Sequence, residues 1–347
     1  MKEKRIQILD CTLRDGGLKL QDEAFGEDYP HFSPEDTAEM ITLFQQSRVD
    51  ILELGSMMPS SEDLRQFGTY QGIEDISKVM PRDDNGQMYA ALYRGPDTPI
   101  EMIPDWRPGY CRAVRVILRY SELRKSLDFC RSLAKKGYQV FIQPALTMRY
   151  TEEELQMLID TANEISAYAL YVVDSFGYMQ SWDVTRLFDR FDMGLNDSIK
   201  IGFHPHNNMN LAYSNTLKVF EIPTERKIII DSCVLGCGRS AGNLQSEIII
   251  DHMNNYYGYN YNYGAILDVC EIMEKFWTEN LWGYSVMDLL PALRGAAYKY
   301  SEFFRKDCDL RYSEIEKLLS GLSGEMRHRF IRDHAIKMLK THGYSFE

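Results

Sequence analysis

From residue 6 to about residue 260 the chain alternates two textures. Short apolar runs rich in β-branched residues are followed by longer stretches whose apolar positions recur every three or four residues. The runs predict strands over 6–13, 51–55, 87–93, 113–118, 139–145, 170–174, 200–206 and 227–234. They return at intervals of roughly 25 to 45 residues, with room for a helix between each pair. Strands alternating with helices in this way predict βα units around a parallel sheet. Helix start signals agree. Ser33 precedes Pro34, Glu35 and Asp36, an N-cap followed by proline and first-turn acids. Thr151 and Glu154 form a capping-box sequence ahead of the stripe Leu155, Leu158, Ile159 and Ala162. Leu127, Cys130 and Leu133 make another stripe, closed by Gly137.

Eight βα units predict an α/β fold, a (β/α)8 TIM barrel, with an open doubly wound sheet as the alternative. The placement of polar residues favours the barrel. Asp15, Glu53, Asp174, Ser175, His204 and His206 fall at the ends of different predicted strands, where a barrel gathers its site. Beyond Gly258 a tyrosine-rich connector leads into purely helical patterning. The expected organisation is a barrel domain over 1–262 and a small all-helical C-terminal domain over 263–347.

Composition narrows the function classes. A net charge of −12 argues against nucleic acid and against anionic membranes as partners. No apolar run approaches the length of a membrane span. Seven cysteines are scattered without a framework, which suits reduced thiols and a cytoplasmic setting.

The chemistry concentrates in two segments. One runs Leu9-Asp10-Cys11-Thr12-Leu13-Arg14-Asp15-Gly16-Gly17, and the other Gly202-Phe203-His204-Pro205-His206-Asn207-Asn208. Residues i and i+2 of a strand share a face, so His204 and His206 present two imidazoles side by side. With Asp15 they form a set suited to a divalent metal. Arg14 adds a fixed positive charge able to stabilise an enolate. The glycine-rich Gly236-Cys237-Gly238-Arg239-Ser240-Ala241-Gly242-Asn243 follows the eighth predicted strand. Asn243 is either a further metal ligand or a helix cap, and Cys237 either a reactive thiol or a buried bystander. Ser175 either binds a substrate carboxylate or closes a turn. Glu53 either orients Arg14 or forms a salt bridge at the mouth.

Together these motifs resemble the metal-dependent aldolase family that includes 4-hydroxy-2-oxovalerate aldolase, 3-hydroxy-3-methylglutaryl-CoA lyase and the 2-isopropylmalate-type synthases, the HMGL-like barrels. The resemblance covers nearly the whole chain. It implies that Asp15, His204 and His206 bind Mn2+ or Mg2+, with Asn243 a further ligand. It implies that Arg14 stabilises a pyruvate enolate, that Ser175 contacts the keto acid, and that Tyr284 reaches the site from the helical tail. The expected activity is cleavage or formation of a C–C bond between pyruvate and an aldehyde. Alternatives are a Claisen-type acyl-CoA lyase or synthase on the same barrel, and a non-catalytic metal-binding homologue.

Two departures matter. These aldolases carry a histidine base three residues after the metal aspartate, and here that position is Leu18. Lys19, Tyr29, His31 or water on the cation would have to serve. The acyl-CoA lyases place a catalytic cysteine in a longer loop, so that role is not transferred to Cys237. The loops over 18–31 and 57–70 are expected to select the aldehyde. The tail is expected to cover the barrel mouth and to offer a surface for a homo-oligomer. Related aldolases pair with an aldehyde dehydrogenase, but no residue of this chain points to that partner.

Overall fold

A computed structural model describes residues 5–24, 29–83, 85–277 and 281–344. Nine strands, all parallel, form one sheet: β1 (Ile6–Asp10), β2 (Ile51–Met57), β3 (Thr69–Tyr70), β4 (Met88–Arg94), β5 (Ala113–Leu118), β6 (Gln139–Pro144), β7 (Ala169–Asp174), β8 (Lys200–Pro205) and β9 (Ile228–Ser232). β1 pairs with both β9 and β2, which closes eight of them into a barrel; the two-residue β3 only extends β2. All eight predicted strands are present, and the closure decides for the barrel over the open sheet. No helix among the described residues is long and apolar enough to cross a membrane.

The helical signals act as their chemistry dictates. Ser33 Oγ accepts from the Asp36 amide while the Asp36 carboxylate accepts from Ser33, opening the helix Pro34–Ser47. Thr151 and Glu154 exchange the same pair of bonds at the start of Glu152–Glu164. The first strand departs from expectation. It stops at Asp10, and Thr12–Gly16 winds into a single π-helical turn. Cys11, Thr12 and Leu13, expected in the strand, lie beyond its end, and Arg14 and Asp15, expected just after it, sit on a helical turn. Such turns recur at functional sites because they re-aim consecutive side chains.

The tyrosine-rich connector is anchored beneath the barrel. Tyr261 donates to Asp50 at 2.6 Å, and Tyr259 donates to the Ile6 carbonyl at 2.8 Å. The next helix, Tyr263–Glu274, buries Ile266, Val269 and Met273 in the barrel's own apolar cluster. A separate cluster gathers Tyr300, Phe304, Ile315, Leu318 and Leu339. This tail lies over the C-terminal face of the barrel. The Asp288 carboxylate accepts from Ser240, its carbonyl accepts from Asn208, Trp282 donates to the Leu235 carbonyl, and Arg149 pairs with Glu325.

Candidate metal centre and its charge ring

Inside the barrel mouth six side chains close a ring. Arg14 pairs with Asp15 and donates through Nε to Glu53 at 2.8 Å. Arg115 Nη1 donates to the same Glu53 oxygen at 2.7 Å, and its other arm pairs with Asp231. Asp231 meets His204 Nδ1 at 2.8 Å, and His204 Nε2 faces Asp15 at 3.8 Å. All six are buried, Arg115 and Glu53 completely. Two guanidiniums against three carboxylates leave one negative charge uncompensated in a dry interior. Burying charge is costly unless it is balanced, so the ring calls for one more positive charge beside His204 and Asp15.

Backbone geometry delivers the remaining donors. The His204 and His206 rings lie 5.2 Å apart, tilted by 79°. His206 and Asn243 pair as an isolated antiparallel bridge, with the Asn207 amide donating to Gly242 and the Leu244 amide to Pro205. The glycine-rich loop must fold tightly to achieve this. Gly242 holds φ at +79°, and a side chain there would collide with the Gly236 carbonyl. Asn243 then donates to Asp15 at 3.2 Å and to the Cys237 carbonyl at 2.8 Å. Its Oδ1 is left without a partner, as is His206 Nδ1, and both are buried. Asn243 does not cap the following helix, whose N-cap is Gln245.

Protonation follows from these contacts. Burial, the largest single influence, opposes the charge on His204, but the hydrogen bonds to Asp231 and Cys11 together with the Asp231 charge outweigh it and raise the pKa to about 10. Burial, then His204 beside it, holds His206 down to about 3. Burial pushes Asp15 up, yet Arg14 and the two histidines hold it below the usual carboxylate value. Without a cation, a proton on His204 balances the ring. A divalent cation suits the same place: Asp231 fixes the imidazole with Nε2 aimed at Asp15, the arrangement that orients metal-bound histidines. The two orphaned atoms, His206 Nδ1 and Asn243 Oδ1, are the kinds of donor such an ion takes. Cys11 and Cys233 line the floor with sulfurs 3.5 Å apart, and Cys11 groups closely with His204 and Asp231. Burial pushes both thiols up, so they stay neutral and leave the ion to oxygen and nitrogen.

The other expected residues are placed as follows. Ser175 accepts from the Leu146 amide at 2.9 Å, which sets the loop after β6. Tyr284 is 58 % exposed, between Trp282, bonded to Leu235, and Ser285, which caps the helix Val286–Leu293. Cys237 is fully buried, against the Thr12 carbonyl. Leu18 is buried, Lys19 is tied to Glu23 at 2.7 Å, and His31 is exposed with Nδ1 on the Tyr29 carbonyl. Sequence reasoning passed over Arg115 and Asp231. Their signal was present: a charge inside Val114-Arg115-Val116 and another closing Ile229-Ile230-Asp231, each interrupting an apolar strand.

A closed parallel barrel with an acid–imidazole–amide cluster at its C-terminal mouth defines a TIM-barrel enzyme with a candidate metal centre. The HMGL-like family model matches residues 116–274. The 4-hydroxy-2-oxovalerate aldolase of Shewanella halifaxensis is 30 % identical over 305 residues, covering 86 % of this chain and 85 % of that protein. The protein of the same name from Pseudoalteromonas translucida is 25 % identical over 276 residues, 78 % of this chain and 76 % of that one. Among solved structures, the N-terminal domain of a protein assigned as an aldolase from Bacteroides vulgatus superposes with a TM-score of 0.71 at 20 % identity, over 86 % of this chain and 96 % of that one. The chain belongs to the HMGL-like family.

Proposed function

We propose that the protein is a divalent-metal-dependent aldolase acting between a pyruvate enolate and an aldehyde, as a 4-hydroxy-2-oxo acid lyase in the cleavage direction. The observation that carries this reading is the His204–Asp231 bond, which points Nε2 at Asp15 beside the two orphaned donors of His206 and Asn243. Asp15, His204, His206 and Asn243 would hold Mn2+ or Mg2+, and the ion would polarise the carbonyl of a bound 2-keto acid.

The chain's own residues supply the rest. In cleavage the 4-hydroxyl loses its proton to a base, the C3–C4 bond breaks, and its electron pair passes to C3 and the keto oxygen. The aldehyde departs, and the enolate takes a proton to become pyruvate. Arg14 is held at Nε by Glu53, which fixes its guanidinium beside Asp15 before substrate arrives. A preorganised charge of this kind in a water-poor site stabilises a developing oxyanion strongly. Ser175 keeps its hydroxyl proton free for a keto-acid carboxylate while its oxygen accepts from Leu146. Tyr284 lies between Trp282, bonded to the Leu235 carbonyl, and Ser285, bonded to the Asp288 carboxylate that also takes Ser240, and we assign its hydroxyl to the substrate side. We retain the division into a catalytic barrel over 1–262 and a helical module over 263–347, with Tyr263–Glu274 as the joint. The test is pyruvate release from 4-hydroxy-2-keto acids with and without a chelator. Manganese-dependent release is expected, and turnover that survives complete metal removal overturns the reading.

A further inference from the structure

Arg94 ends β4, and the strand register fixes which way it faces. On β4, Ala90 lies opposite Glu53 and Leu92 opposite Arg115, both members of the buried ring. Side chains two apart on a strand share a face, so Ala90, Leu92 and Arg94 point into the barrel, with Arg94 uppermost at the mouth. Asp22, the one carboxylate among the leading influences on its charge, is already engaged, as are other acids of the described residues at the strand ends. Asp22 pairs with Arg239 at 2.6 Å and Asp97 with Arg119, while Glu122 takes Arg119 at 2.9 Å and Glu53 and Asp15 hold Arg14. Arg94 is partly buried, yet among the described residues it makes no ion pair and no side-chain hydrogen bond. Burial and the guanidinium of Arg239 pull its pKa below the usual arginine value; Asp22 opposes this, and Arg14 and Arg119 add to it. An arginine stays charged in proteins. This mouth therefore holds an uncompensated cation inside a chain of net charge −12.

A partly desolvated guanidinium lacking a protein partner is matched by an oxyanion brought in by the substrate. The keto-acid end is provided for by Arg14, Ser175 and the metal ligands. Arg94 rises from a different strand, on the side of the mouth away from His204 and His206. We propose that Arg94 is a specificity-determining residue that receives an anionic group, carboxylate or phosphate, carried by the aldehyde partner. This deepens the aldolase reading and rests on it. The loops over 18–31 and 57–70 then contribute less to aldehyde choice than the third strand of the barrel does.

The manganese-loaded protein and its Arg94→Gln and Arg94→Lys variants are assayed with pyruvate and three aldehydes: acetaldehyde, succinic semialdehyde and glyceraldehyde 3-phosphate. Wild type is expected to favour one anionic aldehyde over acetaldehyde at least tenfold in kcat/KM, as a charged hydrogen bond allows. Arg94→Gln should cut that ratio by roughly 10- to 100-fold, mainly through KM, and Arg94→Lys should restore part of it. The anionic aldehyde that loses most identifies the group. A preference for acetaldehyde, or a ratio that Arg94→Gln leaves in place, overturns the proposal. Exchange of the pyruvate methyl protons in D2O needs no aldehyde and judges enolate formation separately. If exchange and turnover are both absent the aldolase reading fails. Calorimetric titration of inorganic phosphate and succinate then decides for Arg94: binding lost in Arg94→Gln upholds an anion site, and equal heats in both proteins overturn it.

Discussion

Asp231→Asn isolates the part of the ring that prepares His204. The substitution keeps the side chain's shape but removes the charge that Arg115 and His204 share. Breaking a buried pair from one side costs about 3–5 kcal/mol, so the variant is compared well below its melting temperature, with circular dichroism as the fold control. The informative quantity is the pH dependence of Mn2+ affinity. In wild type His204 holds its proton up to about pH 10. The ion must displace that proton, so log affinity should rise by about one per pH unit between pH 7 and 9. His206, held down to about 3, and Asp15, held below its usual value, contribute nothing in that window. Asp231→Asn removes the anionic acceptor that favours the imidazolium and leaves only a neutral amide oxygen in its place. His204 is then neutral near pH 8, and the slope should fall toward zero. The absolute affinity carries two opposed terms, weaker orientation and less proton competition, so it does not discriminate; the slope does. Calorimetric Mn2+ titrations at pH 7, 8 and 9 measure it. Equal slopes in the two proteins would refute the assignment of His204 as the ligand that exchanges a proton for the metal.

The same shift bears on stability. The folded His204 pKa lies above its unfolded value, so its contribution is complete below about pH 6.5 and is lost as pH rises through about 10, on the order of 4–5 kcal/mol in all; urea midpoints of metal-free protein should fall over that range, and a flat profile counts against it. Asp10 is pushed up to about 7 by burial, so its protonated form stabilises the fold at low pH and that contribution is lost as pH rises through 7; Asp10→Asn should flatten urea midpoints between pH 5 and 8, and an unchanged slope would remove Asp10 from the account. A side chain at Gly202 would enter the ring of the fully buried Tyr171; Gly202→Ala should therefore destabilise by roughly 1–3 kcal/mol, and an unaltered denaturation curve would show that the ring can yield. Tyr284 is mostly exposed, so Tyr284→Phe should leave the melting temperature nearly unchanged while lowering turnover; an unaffected kcat takes the tail out of the mechanism.

Much of this architecture could be read from periodicity. The eight strands were legible because each is an apolar run between polar helical stretches, and the capping residues at 33 and 151 announced their helices through local chemistry alone. The π turn was not legible. Thr12 and Leu13 read as the end of the first strand and Arg14 to Gly16 as an ordinary turn after it, and the hydrogen bonds from the Arg14 and Asp15 amides to the Cys11 carbonyl mark the change. The residues proposed as metal ligands were readable as types and spacings. The ring that charges and orients them was not, because Arg115 and Asp231 come from strands 116 positions apart, and barrel closure alone makes them neighbours. The unpaired state of Arg94 was likewise invisible, since it depends on which carboxylates other guanidiniums have already taken.

That last point carries a general consequence for the site. The overall charge of −12 belongs to the chain as a whole, but a bound substrate experiences the mouth, where the balance differs. Below, the ring lacks one positive charge, and a divalent cation with a neutral His204 reverses that deficit to an excess of one. Above, Arg94 adds a second unmatched cation. A doubly anionic substrate would neutralise both, with the keto-acid carboxylate below and a distal oxyanion above. A keto acid paired with a neutral aldehyde would leave Arg94 uncompensated in a partly dry mouth. The electrostatics thus favour one end-to-end orientation of substrate. They also predict that added salt weakens the anionic substrate more than the neutral one, through KM rather than kcat. A salt dependence equal for both substrates would contradict that polarity.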